Sequence, residues 1–252
     1  MNERVAIVLV AHGDRGGTAG DAGIHAHAAA LTAAGGFAHV GVGLLKGEPT
    51  IEDALRRAAA TANRVRIVPV MMAEGYFTRV VLPARIAAAG VTAPVERTGV
   101  LGLCPEIPAL VAEAAEAVAR AAGWAPADAI LMVVGHGSAI GPDARVPVDR
   151  VVAALAPAGR FRRVVPAFVE ESPTLDEAVA ALDGPTIVAS LLASDGLHGQ
   201  DDLSEALEVA RVPVARTGAL GSSPLVRPVI ERLARERDAT FVVHPFELRR
   251  DP

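Results

Sequence analysis

Two histidines each follow a short apolar run and precede a glycine, in a position where an imidazole could do chemistry. His12 follows VAIVLVA and His136 follows AILMVVG, and the two histidines are 124 residues apart. A third, His198, comes after the apolar run of LLASDGLHG. Imidazole binds cobalt, iron, nickel and zinc, and in its neutral form it accepts protons near physiological pH. These residues indicate a transition-metal site, a proton-transfer site, or both.

The chain repeats itself, which supports a shared role for His12 and His136. Besides the histidine segments, EPTIEDAL resembles SPTLDEAV, and VERTGVLGLCP resembles VARTGALGSSP with seven of eleven positions identical. Three matches in the same order predict an internal duplication. The Gly and Pro of GWAPADA interrupt the chain between the copies. We therefore predict two domains, residues 1–124 and 125–252.

Each half alternates aliphatic strands with helices, which predicts an α/β fold of two tandem domains, each a parallel sheet flanked by helices. Ligands of such sheets bind beyond the carboxyl ends of the strands, so the loops after the strands are where a site is expected. The predicted strands are Val5–Ala11, Arg64–Met72, Ile130–Val134 and Thr186–Ala193, and the predicted helices are Thr50–Ala62, Pro105–Ala122, Pro173–Leu182 and Pro224–Arg237.

The two halves differ where the later strand ends. With one residue inserted in the second half, Gly75 aligns with Gly196 and Phe77 aligns with His198, so the first half lacks this histidine. The first half instead offers Glu74 nearby. Two imidazoles and a carboxylate suit a divalent cation of intermediate softness, and the same groups can act as bases.

The repeated RTGxLG stretches contain the next candidate residues. Arg97–Gly102 and Arg216–Gly221 are predicted to be loops that lead into helices. Their glycines and the helix N-termini could hold an anion, or the glycines could serve the geometry of a turn. His25 and His27 are two residues apart and do not share a helix face, so we interpret them, with His39, as surface or helix residues.

Composition argues against several classes of function. The net charge is −5, whereas nucleic-acid binders usually carry a basic excess, so no nucleic-acid partner is expected. The single cysteine cannot form an internal disulfide, and no Cys-x-x-Cys pair is present. Val5–Ala11 is too short for a signal peptide, and no apolar run approaches the roughly 18 residues of a membrane span. We expect a cytoplasmic protein without a membrane partner.

The order of these motifs resembles that of the sirohydrochlorin chelatases, the class II tetrapyrrole chelatases of the cobaltochelatase and ferrochelatase type. The shared pattern is HG after the first strand, a Pro-Thr helix start followed by acids, a later strand ending near GLH, and RTGALG. The resemblance covers nearly the whole chain, twice, as in the two-domain form of the family. It implies tandem flavodoxin-like chelatase domains with a cleft between them.

The resemblance also implies an activity. Members of this family insert Co²⁺ or Fe²⁺, and in some cases Ni²⁺, into a sirohydrochlorin-type tetrapyrrole without ATP, in cobalamin or siroheme biosynthesis. The metal is then a substrate, and no permanently bound cofactor is expected. The implied partners are the tetrapyrrole and the metal ion, and two fused halves make a monomer sufficient.

The family's functional residues carry over onto individual positions. Its histidine after the first strand corresponds to His136 and His12, and its histidine after the later strand corresponds to His198. Phe77 departs from the pattern. Some two-domain relatives pair two histidines of one half with a glutamate of the other, and Glu74 is similar in position. The candidate macrocycle contacts are Arg97, Arg216 and Phe77.

Two other functions fit part of the pattern. A metal or tetrapyrrole carrier would keep the cleft without turnover, and Phe77 in place of a histidine agrees with that. A histidine phosphotransfer enzyme also has HG after its first strand, but an arginine precedes that histidine, and here Ala11 and Gly135 hold the place. The sequence leaves open which histidine binds metal, which accepts a proton, and whether His12 takes part.

Overall fold

The computed structural model describes residues 4–13, 20–236 and 241–243, and within 197–202 and 241–243 it describes the backbone. The first half of the chain contributes four parallel strands in the order β2-β1-β3-β4. The strands are β1 (Val5–Ala11), β2 (His39–Leu44), β3 (Arg64–Pro69) and β4 (Val95–Arg97). The helices of this half are α1 (Ala22–Ala34), α2 (Ile51–Thr61), α3 (Leu82–Ala89) and α4 (Ile107–Ala121).

The second half repeats this arrangement. Its parallel strands follow the order β6-β5-β7-β8, and a further strand near the chain end pairs antiparallel with β4. The strands are β5 (Ile130–Gly135), β6 (Arg163–Phe168), β7 (Thr186–Ser190), β8 (Val214–Arg216) and β9 (Phe241–Val243). The helices are α5 (Val146–Leu155), α6 (Leu175–Ala180), α7 (Leu197–Glu208) and α8 (Arg227–Arg235).

His12 and His136 each follow an inner strand of a sheet. The strand β1 lies between β2 and β3, and β5 lies between β6 and β7. Such strands are covered by helices on both faces, and every residue of β5 is buried, as is the middle of β1. The apolar runs that precede His12 and His136 are therefore core strands, which fix the two histidines at the carboxyl edge of each sheet.

The compact units of the structure do not coincide with the sequence halves 1–124 and 125–252. One unit comprises Met1–Leu101 with Arg227–Pro252, and the other comprises Gly102–Val226. The reason is an exchange of the last helix of each repeat. The helix α4 packs on β7, β8 and α5, whereas α8 packs on β3 and α1.

Matching local contacts support the repeat at the level of hydrogen bonds. Thr50 caps α2 by accepting from the Asp53 N–H, and Thr174 caps α6 by accepting from the Glu177 N–H, both at 3.2 Å. The Glu177 carboxylate also accepts from the Thr174 N–H, which completes a capping box. The Pro-Thr-acid motif is thus a helix start in both halves, as predicted.

The α/β fold predicted from the sequence is confirmed, with differences at the ends of elements. The strand β3 ends at Pro69 instead of Met72, and β7 ends at Ser190 instead of Ala193. Arg97 and Arg216 end strands β4 and β8, although the sequence indicated loops there. The helix α7 begins at Leu197, so His198 lies in its first turn.

Candidate functional site

His12 stands at the carboxyl end of β1 against an aromatic ring. Its imidazole meets the Phe77 ring edge-on, with 4.4 Å between centroids and 81° between planes. Its carbonyl accepts a 2.8 Å hydrogen bond from the N–H of Lys46. Gly13, at φ +75°, allows this turn, because a Cβ there would overlap the Lys46 carbonyl. The glycine therefore serves a close approach of the protein's own backbone.

Phe77 belongs to an exposed aromatic segment at the same edge. It begins a π-helical turn, Phe77–Val81, which leads into α3. Phe77 is 40% exposed and Tyr76 is 67% exposed, with 5.8 Å between the two ring centroids. The Lys46 ammonium lies 5.9 Å from the Phe77 centroid, within cation–π range. The carboxyl edge of the first sheet thus combines imidazole, aromatic rings and a cation.

Glu74 is held by an ion pair with Arg97. One Arg97 nitrogen donates to both carboxylate oxygens, at 3.0 and 3.3 Å. The side chains are only 6% exposed for Arg97 and 16% exposed for Glu74. The structure therefore joins two predicted residues that the sequence assigned to different roles, Glu74 to the metal and Arg97 to the macrocycle.

His136 projects from the carboxyl end of β5 with 60% of its side chain exposed. Its Nδ1 lies 3.7 Å from a carboxylate oxygen of Glu170 and 3.3 Å from the Gly137 carbonyl. The carbonyl of His136 accepts a 2.9 Å hydrogen bond from the N–H of Glu170. An exposed imidazole beside an exposed carboxylate is a pair of donors that a divalent cation could use.

Arg145, directly before α5, is paired with acidic side chains. Arg145 donates to Asp149 at 2.9 Å and to Glu171 at 3.4 Å, and its guanidinium lies 5.0 Å from the Phe168 centroid. The hydrogen bond to Asp149 raises the pKa of Arg145 further above its ordinary value. Glu171 also accepts from the Ser138 N–H at 3.2 Å. This cluster fixes the loop after His136 rather than presenting a free cation.

His198 lies in the first turn of α7, and its side chain is outside the described part of the structure. Its backbone position follows the carboxyl end of β7, which pairs directly with β5. Among the described side chains, no group of three or more histidine, cysteine or acidic residues is arranged to hold a metal ion. The predicted set of His136, His198 and Glu74 stays a prediction.

Arg216 differs from Arg97, its repeat partner. Its side chain is exposed and donates to the Ser204 hydroxyl at 2.9 Å. The residue aligned with Glu74 is Asp195, whose carboxylate accepts instead from the N–H of Ala219 at 2.7 Å. No carboxylate in the described side chains pairs with Arg216. Of the two arginines, Arg216 is the one more open to an anionic ligand.

The last glycine of the RTGxLG stretch has a packing role in the second half. A Cβ at Gly221 would lie 2.4 Å from the carbonyl oxygen of Ala193. The absence of a side chain at Gly221 therefore permits close packing of the chain against Ala193.

Two stretches of the chain, residues 6–118 and 130–237, each match the model of the CbiX family, and together they cover most of the sequence. The chain belongs to the CbiX family. The double match agrees with the internal repeat and confirms the resemblance to the sirohydrochlorin chelatases in their two-domain form.

Individual CbiX-family relatives and related structures extend this result. The chain is 26% identical over 271 residues to a protein of Halobacterium salinarum described as "probable sirohydrochlorin cobaltochelatase", covering 93% of this chain and 91% of the relative. It is 28% identical to CbiX, described as the terminal enzyme for biosynthesis of siroheme in denitrifying bacteria, with a TM-score of 0.73 and coverage of 91% and 96%.

A third solved structure shares the fold. It is DR2241 from Deinococcus radiodurans, a multi-domain protein with structural similarity to chelatases, at 24% identity and a TM-score of 0.76. The match covers 93% of this chain but 55% of the Deinococcus protein, which has two additional domains. This likeness shows the fold alone.

Other parts of this CbiX-family chain are separate from the candidate residues. His25 is exposed and His27 is buried on opposite faces of α1, as predicted. A cavity of about 230 Å³ at the amino end of β2 is lined by Phe37 and His39 and contains none of the candidate residues. Within the described ranges, no helix has the length and apolarity required to cross a bilayer.

The sequence reasoning missed Glu170 and assigned Lys46 no specific role. The signal was available, because Lys46 and Glu170 are 124 residues apart, as are His12 and His136. Both follow strands, β2 and β6, that were not predicted. Without those strands, nothing indicated that the two side chains belong to the same sheet edges as the histidines.

Proposed function

We propose that this protein inserts a divalent metal ion, Co²⁺ or Fe²⁺, into sirohydrochlorin or a closely related tetrapyrrole without ATP. The observation that carries the proposal is the exposed pair of His136 and Glu170 at the carboxyl edge of β5, in a chain of the CbiX family. Metallation requires a cation that can shed its water and bases that accept the two pyrrole N–H protons. Imidazole and carboxylate can meet both requirements.

The metal-handling residues of the proposal are His136 and His198, with a carboxylate beside them. Glu170 is 3.7 Å from His136, whereas the carboxylate of Glu74 is engaged with the buried Arg97. We therefore favour Glu170 over Glu74 as the carboxylate that binds metal or relays protons. Because both ring nitrogens of His136 lie in a 60% exposed side chain, the imidazole is accessible to metal.

The macrocycle-binding residues of the proposal are Phe77, Arg216 and Arg97, with His12 as a further candidate. Sirohydrochlorin is a flat ring with several carboxylates, so it requires apolar contacts and basic groups. Phe77 is 40% exposed and can offer an apolar contact. Arg216 is exposed and can pair with a carboxylate. Arg97 contributes by fixing Glu74, since its charge is already neutralised.

An anaerobic metallation assay with sirohydrochlorin and Co²⁺, Fe²⁺ or Ni²⁺ tests the proposal. We expect turnover by the wild type, and a loss of about 100-fold or more in His136→Ala and in His198→Ala. His25→Ala serves as the matched control, because His25 is exposed on α1. Rates close to wild type in both variants would contradict the site assignment.

The relative rates of metallation with Co²⁺, Fe²⁺ and Ni²⁺ identify the metal that the protein prefers. The Halobacterium relative is described as a cobaltochelatase and CbiX as an enzyme of siroheme biosynthesis, which point to cobalt and to iron respectively. Tight stoichiometric binding of the macrocycle with no metallation by any of these ions would instead identify a carrier. That outcome would replace the proposed catalytic function.

A further inference from the structure

Lys46 and Glu170 occupy the same backbone position in the two repeats but carry opposite charges. The N–H of Lys46 donates to the His12 carbonyl at 2.8 Å, and the N–H of Glu170 donates to the His136 carbonyl at 2.9 Å. Each residue follows the second strand of its sheet, β2 or β6, by two residues. The same backbone arrangement therefore carries an ammonium group after β2 in the first unit and a carboxylate after β6 in the second.

The Lys46 ammonium is available to an anion. Its described neighbour is the Phe77 ring, 5.9 Å from Nζ to the centroid, and none of the described carboxylates forms an ion pair with it. Arg145, in the second unit, contrasts with it, because Asp149 and Glu171 both pair with that guanidinium. A lysine that is not neutralised by the protein attracts negatively charged ligands.

An apolar row adjoins this cation. Tyr76, Phe77 and Val80 are 67%, 40% and 52% exposed. All three lie in or directly before the π-helical turn Phe77–Val81. Exposed aromatic and aliphatic groups that lie together commonly mark a binding surface. A flat macrocycle with peripheral carboxylates matches both features, since its ring can cover the apolar row while a carboxylate reaches the ammonium.

We propose that Lys46 is a specificity-determining residue that binds a peripheral carboxylate of the macrocycle, with Phe77 and Tyr76 in contact with the ring. This assignment rests on the proposed function and adds a residue that selects carboxylated macrocycles. The positive charge of Lys46 also opposes a divalent cation near His12, because like charges repel at short range. The first unit's edge is therefore a macrocycle-recognition surface and not a second metal site.

Equilibrium binding of metal-free sirohydrochlorin to the full-length protein tests this role without turnover. We expect Lys46→Met to raise the Kd about fivefold to tenfold, as for loss of one charge-assisted contact. Lys46→Arg should stay within about twofold of wild type because it keeps the charge. Arg57→Met is the matched control, since it removes one positive charge from an exposed position on α2.

A second ligand separates charge recognition from packing. Methyl esters of sirohydrochlorin lack the carboxylates, so wild type and Lys46→Met should bind them equally. Equal loss of affinity for acid and ester would refute the carboxylate contact, as would wild-type affinity of Lys46→Met for the free acid. A wild-type protein that binds no sirohydrochlorin would instead contradict the proposed function. Co²⁺ alone should bind Lys46→Met no more weakly than wild type, and weaker binding would contradict the assignment of metal binding to the second unit.

Discussion

The two candidate carboxylates, Glu74 and Glu170, should give opposite results when each is replaced by glutamine. Glu74 pairs with Arg97, whose side chain is 6% exposed, so removing the Glu74 charge breaks an ion pair with a buried guanidinium. Breaking a fully buried pair costs about 3–5 kcal/mol, and a hydrogen bond to a charged group contributes about 1.5–3 kcal/mol. Because glutamine can still accept one bond and Glu74 is partly exposed, we expect a loss of about 2–3 kcal/mol.

Glu170→Gln should leave stability almost unchanged. Its side chain is 56% exposed and its partner His136 is 60% exposed, and substitutions at such surface positions usually change stability by less than about 0.5 kcal/mol. If Glu170 binds the metal or orients His136, its amide variant should weaken Co²⁺ binding by at least about tenfold. Glu208→Gln, an exposed acid near the end of α7, is the matched control.

Two measurements on the same proteins separate these roles. Thermal unfolding should show Glu74→Gln melting roughly 4–12 °C below wild type, and Glu170→Gln within a few degrees of it. Calorimetric titration with Co²⁺ should show weaker binding by Glu170→Gln and nearly wild-type binding by Glu74→Gln. The reasoning would be refuted if Glu74→Gln kept wild-type stability and lost Co²⁺ binding while Glu170→Gln bound Co²⁺ normally.

Two more predictions concern the exchanged helices and the helix cap. A fragment of residues 102–226 should fold cooperatively, because it contains a complete sheet and its packed helices. A fragment of residues 125–252 should not fold cooperatively. Circular dichroism and urea unfolding of both fragments check this. Hydrogen bonds from Ser172 and the Thr174 N–H lower the pKa of Glu177. The cap's contribution is therefore present at neutral pH and is lost as the pH falls through that lowered pKa, and an NMR titration should show the pKa of Glu177 rising in Ser172→Ala.

Much of the fold was predictable from the sequence because its central strands are buried on both faces. The run Val5–Ala11 is uniformly aliphatic, and the predicted bounds of β1 match the structure. The edge strand β2 was not predicted, because its sequence, HVGVGL, alternates valine with glycine and its first half is only partly buried. The exchange of α4 and α8 also left no sequence signal, since the same amphipathic helix could cover either sheet.

The positions of the histidines were predictable, but their surroundings were not. Repeat spacing placed His12 and His136 at strand ends, and the bounds of β1 and β5 confirm that placement. The contacts between side chains of the first half could not be predicted. Glu74 and Arg97 are 23 residues apart in sequence, and only the folded chain shows that they form a mutually neutralising pair. Because of this pair, we interpret Glu74 as the ion-pair partner of Arg97 and not as a metal ligand.

The repeat is more informative where its copies differ than where they agree. The two histidine turns share a backbone frame, in which the same N–H to carbonyl bond recurs at 2.8 and 2.9 Å. Because the backbone is the same in both copies, the copies differ in their side chains. Lys46 is the repeat equivalent of Glu170, and Phe77 aligns with His198. Under the proposed function, both differences disfavour metal binding in the first unit, one by adding positive charge and the other by removing an imidazole. A single substitution could be neutral drift, but two that act in the same direction are what division of labour between macrocycle and metal requires.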